Sequence, residues 1–336
     1  MSAHALPPLA ISMGEPAGIG PDLILQLYEQ RKAIHLPAFI VYGSTEFLKA
    51  RARQLNFDIT VSPSTPKDAA EQFDFALPVV DMDAHVENRA GELREETAKF
   101  VIHAISVATE HVLCGKCRGL VTAPIQKAIL YGAGFNHPGH TEFLAELCAR
   151  EGETPTPVMM LAHEELRAVP VTIHVPISKV SQLLTKDLIV ETAQIVDRDM
   201  KTRFGIVSPK LAIAGLNPHA GENATIGLED RDVVAPAVAE LVSLGINAVG
   251  PLSADTLFHL PHWRKYDVVI AMYHDQALIP IKTVAFDEGV NVTLGLPIVR
   301  TSPDHGTALD LAGTGSASPK SMLAAIRLAD QMTGGM

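Results

Sequence analysis

The run Met272-Tyr273-His274-Asp275-Gln276, followed by Lys282, Asn291 and Arg300, sets a possible metal ligand just upstream of two cations that could hold an anion. Two further histidines, His174 and His219, each follow a strand-like apolar run, so three imidazoles could meet at strand ends. Neutral imidazole suits zinc and similar divalent ions, and three protein ligands leave a coordination position for a substrate. A lone strand-end histidine is more often a hydrogen-bonded structural residue, and these three match no short-range ligand spacing, so their convergence depends on the fold. Asp255 and Asp275 could orient a ligating imidazole or move a proton. As ordinary residues they would be turn formers or helix caps.

Lys282, Asn291 and Arg300 offer a point charge, an amide and a planar fork, which together could bind phosphate oxygens. Such cations are normally just solvated; here they bracket an apolar, strand-like stretch, Val290–Leu296. Gly139-His140-Thr141-Glu142 opens a helix expected over Phe143–Arg150. Thr141 is then either an ordinary N-cap, or part of an anion site in which a helix N-terminus is joined by a hydroxyl and an imidazole. Thr301–Gly315 reads as a polar loop of small residues, where glycine permits close backbone approach to a ligand. No G-x-G-x-x-G followed by an acidic residue about 20 positions later is present, so a standard dinucleotide-binding half is not indicated. Gly14–Gly20 comes near with the wrong spacing, yet could border an active cleft. Together these features point to metal-assisted chemistry on a small phosphorylated or carboxylated molecule.

The elements that must position these groups alternate between strand-like and amphipathic, the pattern of an α/β protein with a largely parallel sheet. Pro8–Met13 reads as a strand and leads through the glycine-rich turn into a helix from Pro21 to about Gln30, proline being suited to a first helical turn. Phe39–Tyr42 and Leu120–Thr122 are further strands, and Glu46–Leu55 and Glu92–Val112 further helices. A loop with Gly-x-Gly and Pro-Gly signals covers Tyr131–His140. Val158–Leu161 and Ala168–His174 are expected to pair as a hairpin, the cheaper connection over so short a gap. Leu211–Leu216 and Asp267–Tyr273 are buried strands ending at histidine-bearing loops, and in open α/β sheets function gathers outside the carboxyl ends of strands. The lobes are expected to be 1–130 with 300–336, carrying the cofactor, and 131–299, carrying metal, substrate and dimer contacts.

With 336 residues, 47% apolar and 19% charged, the chain can bury a large core in two lobes. A net charge of −11 argues against nucleic acid or an anionic membrane as the main partner, and sparse aromatics argue against base stacking. No apolar run approaches the roughly 18 residues of a membrane span, and no leader-like segment opens the chain, so a cytoplasmic protein is expected. Three cysteines make a disulfide framework improbable; Cys114 and Cys117 form a lone C-x-x-C that Cys148 cannot complete into a structural zinc site.

Five blocks carry a resemblance that runs nearly end to end: Gly14-Glu15-Pro16-Ala17-Gly18-Ile19-Gly20-Pro21, Gly139 to Phe143, Gly215-Leu216-Asn217-Pro218-His219-Ala220-Gly221-Glu222, Met272 to Gln276, and Asn291 to Pro297. In these the chain resembles the 4-hydroxythreonine-4-phosphate dehydrogenase family of vitamin B6 biosynthesis. The resemblance implies metal ligation by His174, His219 and His274, with zinc, magnesium or cobalt as the ion. It implies substrate contacts from His140, Thr141, Lys282, Asn291 and Arg300. It further implies a homodimer with the site at the subunit interface and His274 lent by the partner. The implied fold is similar to isocitrate and isopropylmalate dehydrogenases, two-lobed with an active cleft between lobes. Their cofactor loop looks like His305-Gly306-Thr307 through Ala312-Gly313, which would serve NAD or NADP without the usual glycine fingerprint. The implied reaction oxidises 4-phosphohydroxy-L-threonine to a β-keto acid that decarboxylates to 3-amino-2-oxopropyl phosphate. Related enzymes acting on threonate or erythronate phosphate are the nearest alternative. A metal-dependent hydrolase, an acyl-phosphate acyltransferase and a plain binding protein are more distant ones.

Overall fold

The computed structural model describes residues 6–137 and 139–334, so Pro138 of the Pro-Gly signal and the outermost ends of the expected lobes lie outside the described residues. By contact the chain divides into two compact units, Met1–Pro157 with Leu296–Met336, and Val158–Gly295. This division places 131–157 and 296–299 in the first unit, where the sequence had expected them in the second lobe. Twelve strands are numbered in chain order: β1 (Leu9–Ser12), β2 (Phe39–Gly43), β3 (Val61–Pro63), β4 (Leu77–Asp81), β5 (Leu120–Thr122), β6 (Val158–His163), β7 (Leu166–Thr172), β8 (Leu211–Ala214), β9 (Ala248–Leu252), β10 (Val268–Tyr273), β11 (Val290–Leu294) and β12 (Arg300–Pro303).

In the first unit the strand order is β3-β4-β2-β1-β5-β12, every neighbouring pair parallel. β1, β2 and β5 are buried along their whole length, the signature of strands covered on both faces rather than an alternating pattern. Each parallel step needs a crossover, and the helices Gly20–Glu29, Thr45–Gln54 and Thr97–Leu113 supply three of them. The glycine-rich turn after β1 is tight. A Cβ on Gly20 would stand 2.7 Å from the Met13 carbonyl oxygen, and Gly14 has φ +76° with the Pro124 carbonyl 2.5 Å from where its Cβ would be.

The second unit is mixed, in the order β11-β6-β7-β10-β8-β9. β6 and β7 form the expected antiparallel hairpin, and β6 also pairs antiparallel with β11. β7, β10, β8 and β9 run parallel. Leu161, Ala168, Ala212, Trp263, Val269, Ala271, Ala277 and Ile281 form the core under these strands, small residues letting the helix His274–Ala285 lie close to the sheet. The architecture is therefore α/β with mostly parallel strands.

Three local expectations change. The long helix starts at Thr97 rather than Glu92, because Arg94 pairs with Glu87 and Glu96 and its carbonyl accepts the Thr97 hydroxyl. Thr141 is not the N-cap; Gly139 is, and Thr141 sits inside the first turn of helix His140–Leu147. Finally, β3, a short helix Ala69–Gln72 and β4 fill a stretch left unassigned by sequence, where β3 is only partly buried and its apolar signal correspondingly weak. No helix among the described residues is long and apolar enough to cross a membrane.

Candidate active site

In the second unit the three predicted histidines fall at the carboxyl ends of neighbouring parallel strands. His174 lies two residues past β7, His274 opens the helix directly after β10, and His219 lies in the turn Pro218–Gly221 after β8. The strand order β7-β10-β8 sets them side by side. The rings of His174 and His274 have centroids 5.6 Å apart. His174 has φ 41° and His219 φ 53°, left-handed values that cost a residue with a Cβ about 1–3 kcal/mol each and collect at functional sites.

His274 Nδ1 lies 2.7 Å from Asp275 Oδ1, so the ring donates from Nδ1 to the carboxylate and keeps its Nε2 lone pair for a metal. That arrangement gives Asp275 an orienting role. Asp255, exposed at the start of helix Ala254–Leu257, accepts the Ser253 hydroxyl at 2.5 Å. The Ser253 hydroxyl first, with the nearby His219 among the smaller causes, holds the Asp255 carboxyl below the usual range. Three imidazoles with an orienting carboxylate suit a borderline-soft divalent ion, so the donor set fits such a group. Among the described residues, no three histidine, cysteine or acidic side chains of one chain are gathered closely enough to hold a metal. Lys282 lies half-buried in the last turn of the helix that His274 opens, and Asn291 is the second residue of β11. Asn291 Oδ1 is buried with no hydrogen-bond partner.

The first unit gathers a separate polar cluster. Arg300, 4% exposed at the start of β12, donates through Nε and Nη2 to the Thr122 hydroxyl of β5 at 3.2 and 2.7 Å. Its Nη2 also lies 3.5 Å from His140 Nδ1. Burial lowers the Arg300 pKa to about 10, with Glu142 pulling back, so the guanidinium stays charged at neutral pH. Burial first, then the charges of Arg300 and Lys127, push His140 well below the ordinary histidine range. A neutral ring whose Nδ1 faces a donor carries its proton on Nε2, and that atom is buried without a partner. Nε2–H, the Arg300 fork and the first-turn amides around Thr141 are donors suited to anionic oxygens. Thr122 and Lys127 were not singled out from the sequence; a hydroxyl ending a three-residue strand carries no signal until its partner is known.

The expected cofactor loop follows β12. Thr307 is buried, its carbonyl accepts from Ile19 N at 3.0 Å and its hydroxyl donates to Gln126 Oε1 at 3.3 Å. Gly313 has φ +73°, and its N–H donates to Asp22 Oδ2 at 2.6 Å. Ala312 is buried as well. Thr307 and Gly313 are thereby committed to holding the loop against the glycine-rich turn and its helix. His305 differs: Nδ1 donates to the Gly306 carbonyl at 3.0 Å, and Nε2 is buried without a partner, an acceptor left for a ligand donor. A side chain on Gly306 would meet no atom within 4 Å. His305 Nε2 and the open backbone at Gly306 are the parts of the loop that could meet a bound cofactor. Cys114, Cys117 and Cys148 are free thiols, and burial pushes the last two up to about 11.

The chain is similar to known proteins over nearly its whole length. A family model described as pyridoxal phosphate biosynthetic protein PdxA matches residues 35–329. A 4-hydroxythreonine-4-phosphate dehydrogenase of Methylorubrum populi is 52% identical over 97% of this chain and 94% of its own length. The enzyme of that name from Bradyrhizobium diazoefficiens is 48% identical over 99% of both chains. A crystal structure of 4-hydroxythreonine-4-phosphate dehydrogenase from Klebsiella pneumoniae superimposes with a TM-score of 0.85 at 34% identity, covering 97% of this chain and 99% of that one.

Proposed function

The chain belongs to the PdxA family of pyridoxal phosphate biosynthesis, an oxidoreductase family, and from that premise we propose that it oxidises the secondary hydroxyl of 4-phosphohydroxy-L-threonine with NAD or NADP. The observation that carries this reading is the placement of His174, His219 and His274 on three adjacent parallel strand ends. When bound, a divalent ion there would polarise the substrate hydroxyl as a Lewis acid, and a nicotinamide would accept the hydride.

The remaining work falls to the chain's own groups. Asp275 fixes the orientation of the His274 ring through Nδ1. Asp255, held ionised by Ser253, is the carboxylate we assign to accept the hydroxyl proton. Arg300, His140 and Thr141 are assigned to anionic substrate oxygens, as are Lys282 and Asn291. Binding energy from the phosphate serves to position the hydroxyl, so the non-phosphorylated compound loses rate as well as affinity. The product is a β-keto acid, which loses carbon dioxide to give 3-amino-2-oxopropyl phosphate. A homodimer in which His274 serves the partner's site completes the proposal.

The test is a cofactor-reduction assay with 4-phosphohydroxy-threonine, its non-phosphorylated form, and threonate and erythronate phosphates, each with and without chelator. Chelator-sensitive reduction with the first compound is expected. Faster turnover of a sugar-acid phosphate would move the enzyme to that substrate, and phosphate release without cofactor would replace oxidation by hydrolysis.

A further inference from the structure

The polar cluster of the first unit borders an exposed lysine that the sequence did not single out. β5 ends at Thr122, whose hydroxyl accepts from Arg300, and the chain then runs through Ala123–Gln126 into the short helix Lys127–Gly132. Two bonds set the course of that connection. The Pro124 carbonyl accepts from Glu15 N at 2.9 Å, which joins it to the glycine-rich turn. Gln126 does not cap the helix with its side chain; its Oε1 accepts the Thr307 hydroxyl at 3.3 Å, which joins it to the loop after β12. Lys127 follows directly, so its backbone is held where the connection meets that loop.

The Lys127 side chain lies against Gly139, the N-cap of helix His140–Leu147. A Cβ on Gly139 would stand 3.5 Å from Lys127 Nζ, 3.8 Å from its Cε and 2.8 Å from Glu142 Oε2. The bare glycine leaves that space to an ammonium and a carboxylate, one residue before His140. The Lys127 charge also acts on the His140 ring, after burial and Arg300, in holding it neutral. Yet Lys127 makes no hydrogen bond or ion pair among the described residues, although Glu142 is close by. Arg300 and Lys127 therefore outweigh the one carboxylate between them, in a chain whose net charge is −11. Such a local excess of positive charge suits an anion. Donors on three separate elements match the three terminal oxygens of a phosphate better than the two coplanar oxygens of a carboxylate.

We propose that Lys127 is a further substrate-binding residue, its ammonium taking an oxygen of the substrate's phosphate beside Arg300 and His140. This rests on the reading that the first unit's cluster holds an anionic group of the substrate. It adds a second cation to that cluster and names the phosphate as the group bound. A lysine serves such a site as a point charge on a flexible stem, so charge matters more than the shape of the head group.

The experiment measures inorganic phosphate binding to the full-length protein by titration calorimetry at several sodium chloride concentrations, with the thermal midpoint of the ligand-free protein alongside. Lys127→Gln keeps a polar side chain without the charge. It is expected to weaken phosphate about ten-fold and to make binding less sensitive to added salt. The KM for the phosphorylated substrate should rise by a similar factor. Lys127→Arg restores the charge and should bind phosphate nearly as wild type does. The ligand-free midpoint of Lys127→Gln should match wild type, because the side chain is exposed; a lowered midpoint with unchanged phosphate affinity would make the lysine structural. Wild-type phosphate affinity and salt dependence in Lys127→Gln, with binding weakened in Arg300→Lys, would overturn the role of Lys127 alone. Phosphate binding that neither variant changes would remove the first unit's anion cluster, and the lysine's role with it.

Discussion

At the scale of single residues, the first unit's cluster makes the sharpest demand on His140. Burial and two neighbouring cations hold its ring neutral, so its folded pKa lies below the ordinary value of about 6.5. A depressed histidine pKa means that the unfolded chain binds a proton the native state refuses. His140 therefore costs stability as pH falls below the ordinary histidine range, and nothing above it. In NMR titration of the metal-free protein, the His140 ring is expected to show no protonation step near pH 6.5, and saturating inorganic phosphate should raise its pKa by offsetting the Arg300 charge. A normal titration in the free protein would place the ring in solvent. Arg300→Lys keeps a charge but loses the fork, and a charge-assisted hydrogen bond contributes about 1.5–3 kcal/mol. The expected result is a roughly ten- to hundred-fold rise in KM for the phosphorylated substrate with kcat little changed; an unaltered KM would take Arg300 out of the pocket. His274→Ala removes a ligand and should cut turnover by orders of magnitude, with metal content of the purified protein falling in step.

At the scale of elements, the glycine-rich turn, the helix Gly20–Glu29 and the loop after β12 are bound by one buried ion pair. Arg51 and Asp22 are both fully buried at 2.5 Å. Arg51 also donates to the Pro16 carbonyl at 2.8 Å and to Asn88 Oδ1 at 2.6 Å, while Asp22 Oδ2 accepts from Gly313 N. Arg51→Met leaves a carboxylate buried without its counter-charge and should destabilise by about 3–5 kcal/mol in urea unfolding. Replacing both residues by apolar ones of similar volume should recover most of that loss. A near-neutral Arg51→Met would show that Asp22 finds water in the native state. The pair also marks the limit of sequence reading. Its members look like ordinary charges on two amphipathic helices, and nothing local says that they meet. The same holds for Thr122 as the Arg300 acceptor. Apolar runs such as β1, β2 and β10 were legible because burial on both faces leaves no polar interruption. β3, half-exposed and ending in proline, lacked that pattern.

At the scale of the whole molecule, placement of chemistry at strand carboxyl ends was legible, since it follows from the α/β alternation; which copy of the chain supplies each ligand was implied only by the family resemblance, not by the pattern of residues. His174 and His274 approach within one chain, yet no complete triad forms there among the described residues. Large apolar side chains on the same unit, Ile177, Ile279 and Phe286, are 70%, 61% and 76% exposed. Subunit mixing separates the two arrangements. His174→Ala and His274→Ala, each inactive alone, are dissociated, combined in equal amounts and reassociated. In a two-fold dimer that exchanges His274, half of the randomly formed dimers are mixed, and each mixed dimer regains one site with every ligand intact. Activity should then recover to about a quarter of wild type. If each site took all its histidines from one chain, every site in the mixture would lack one, and no activity would return.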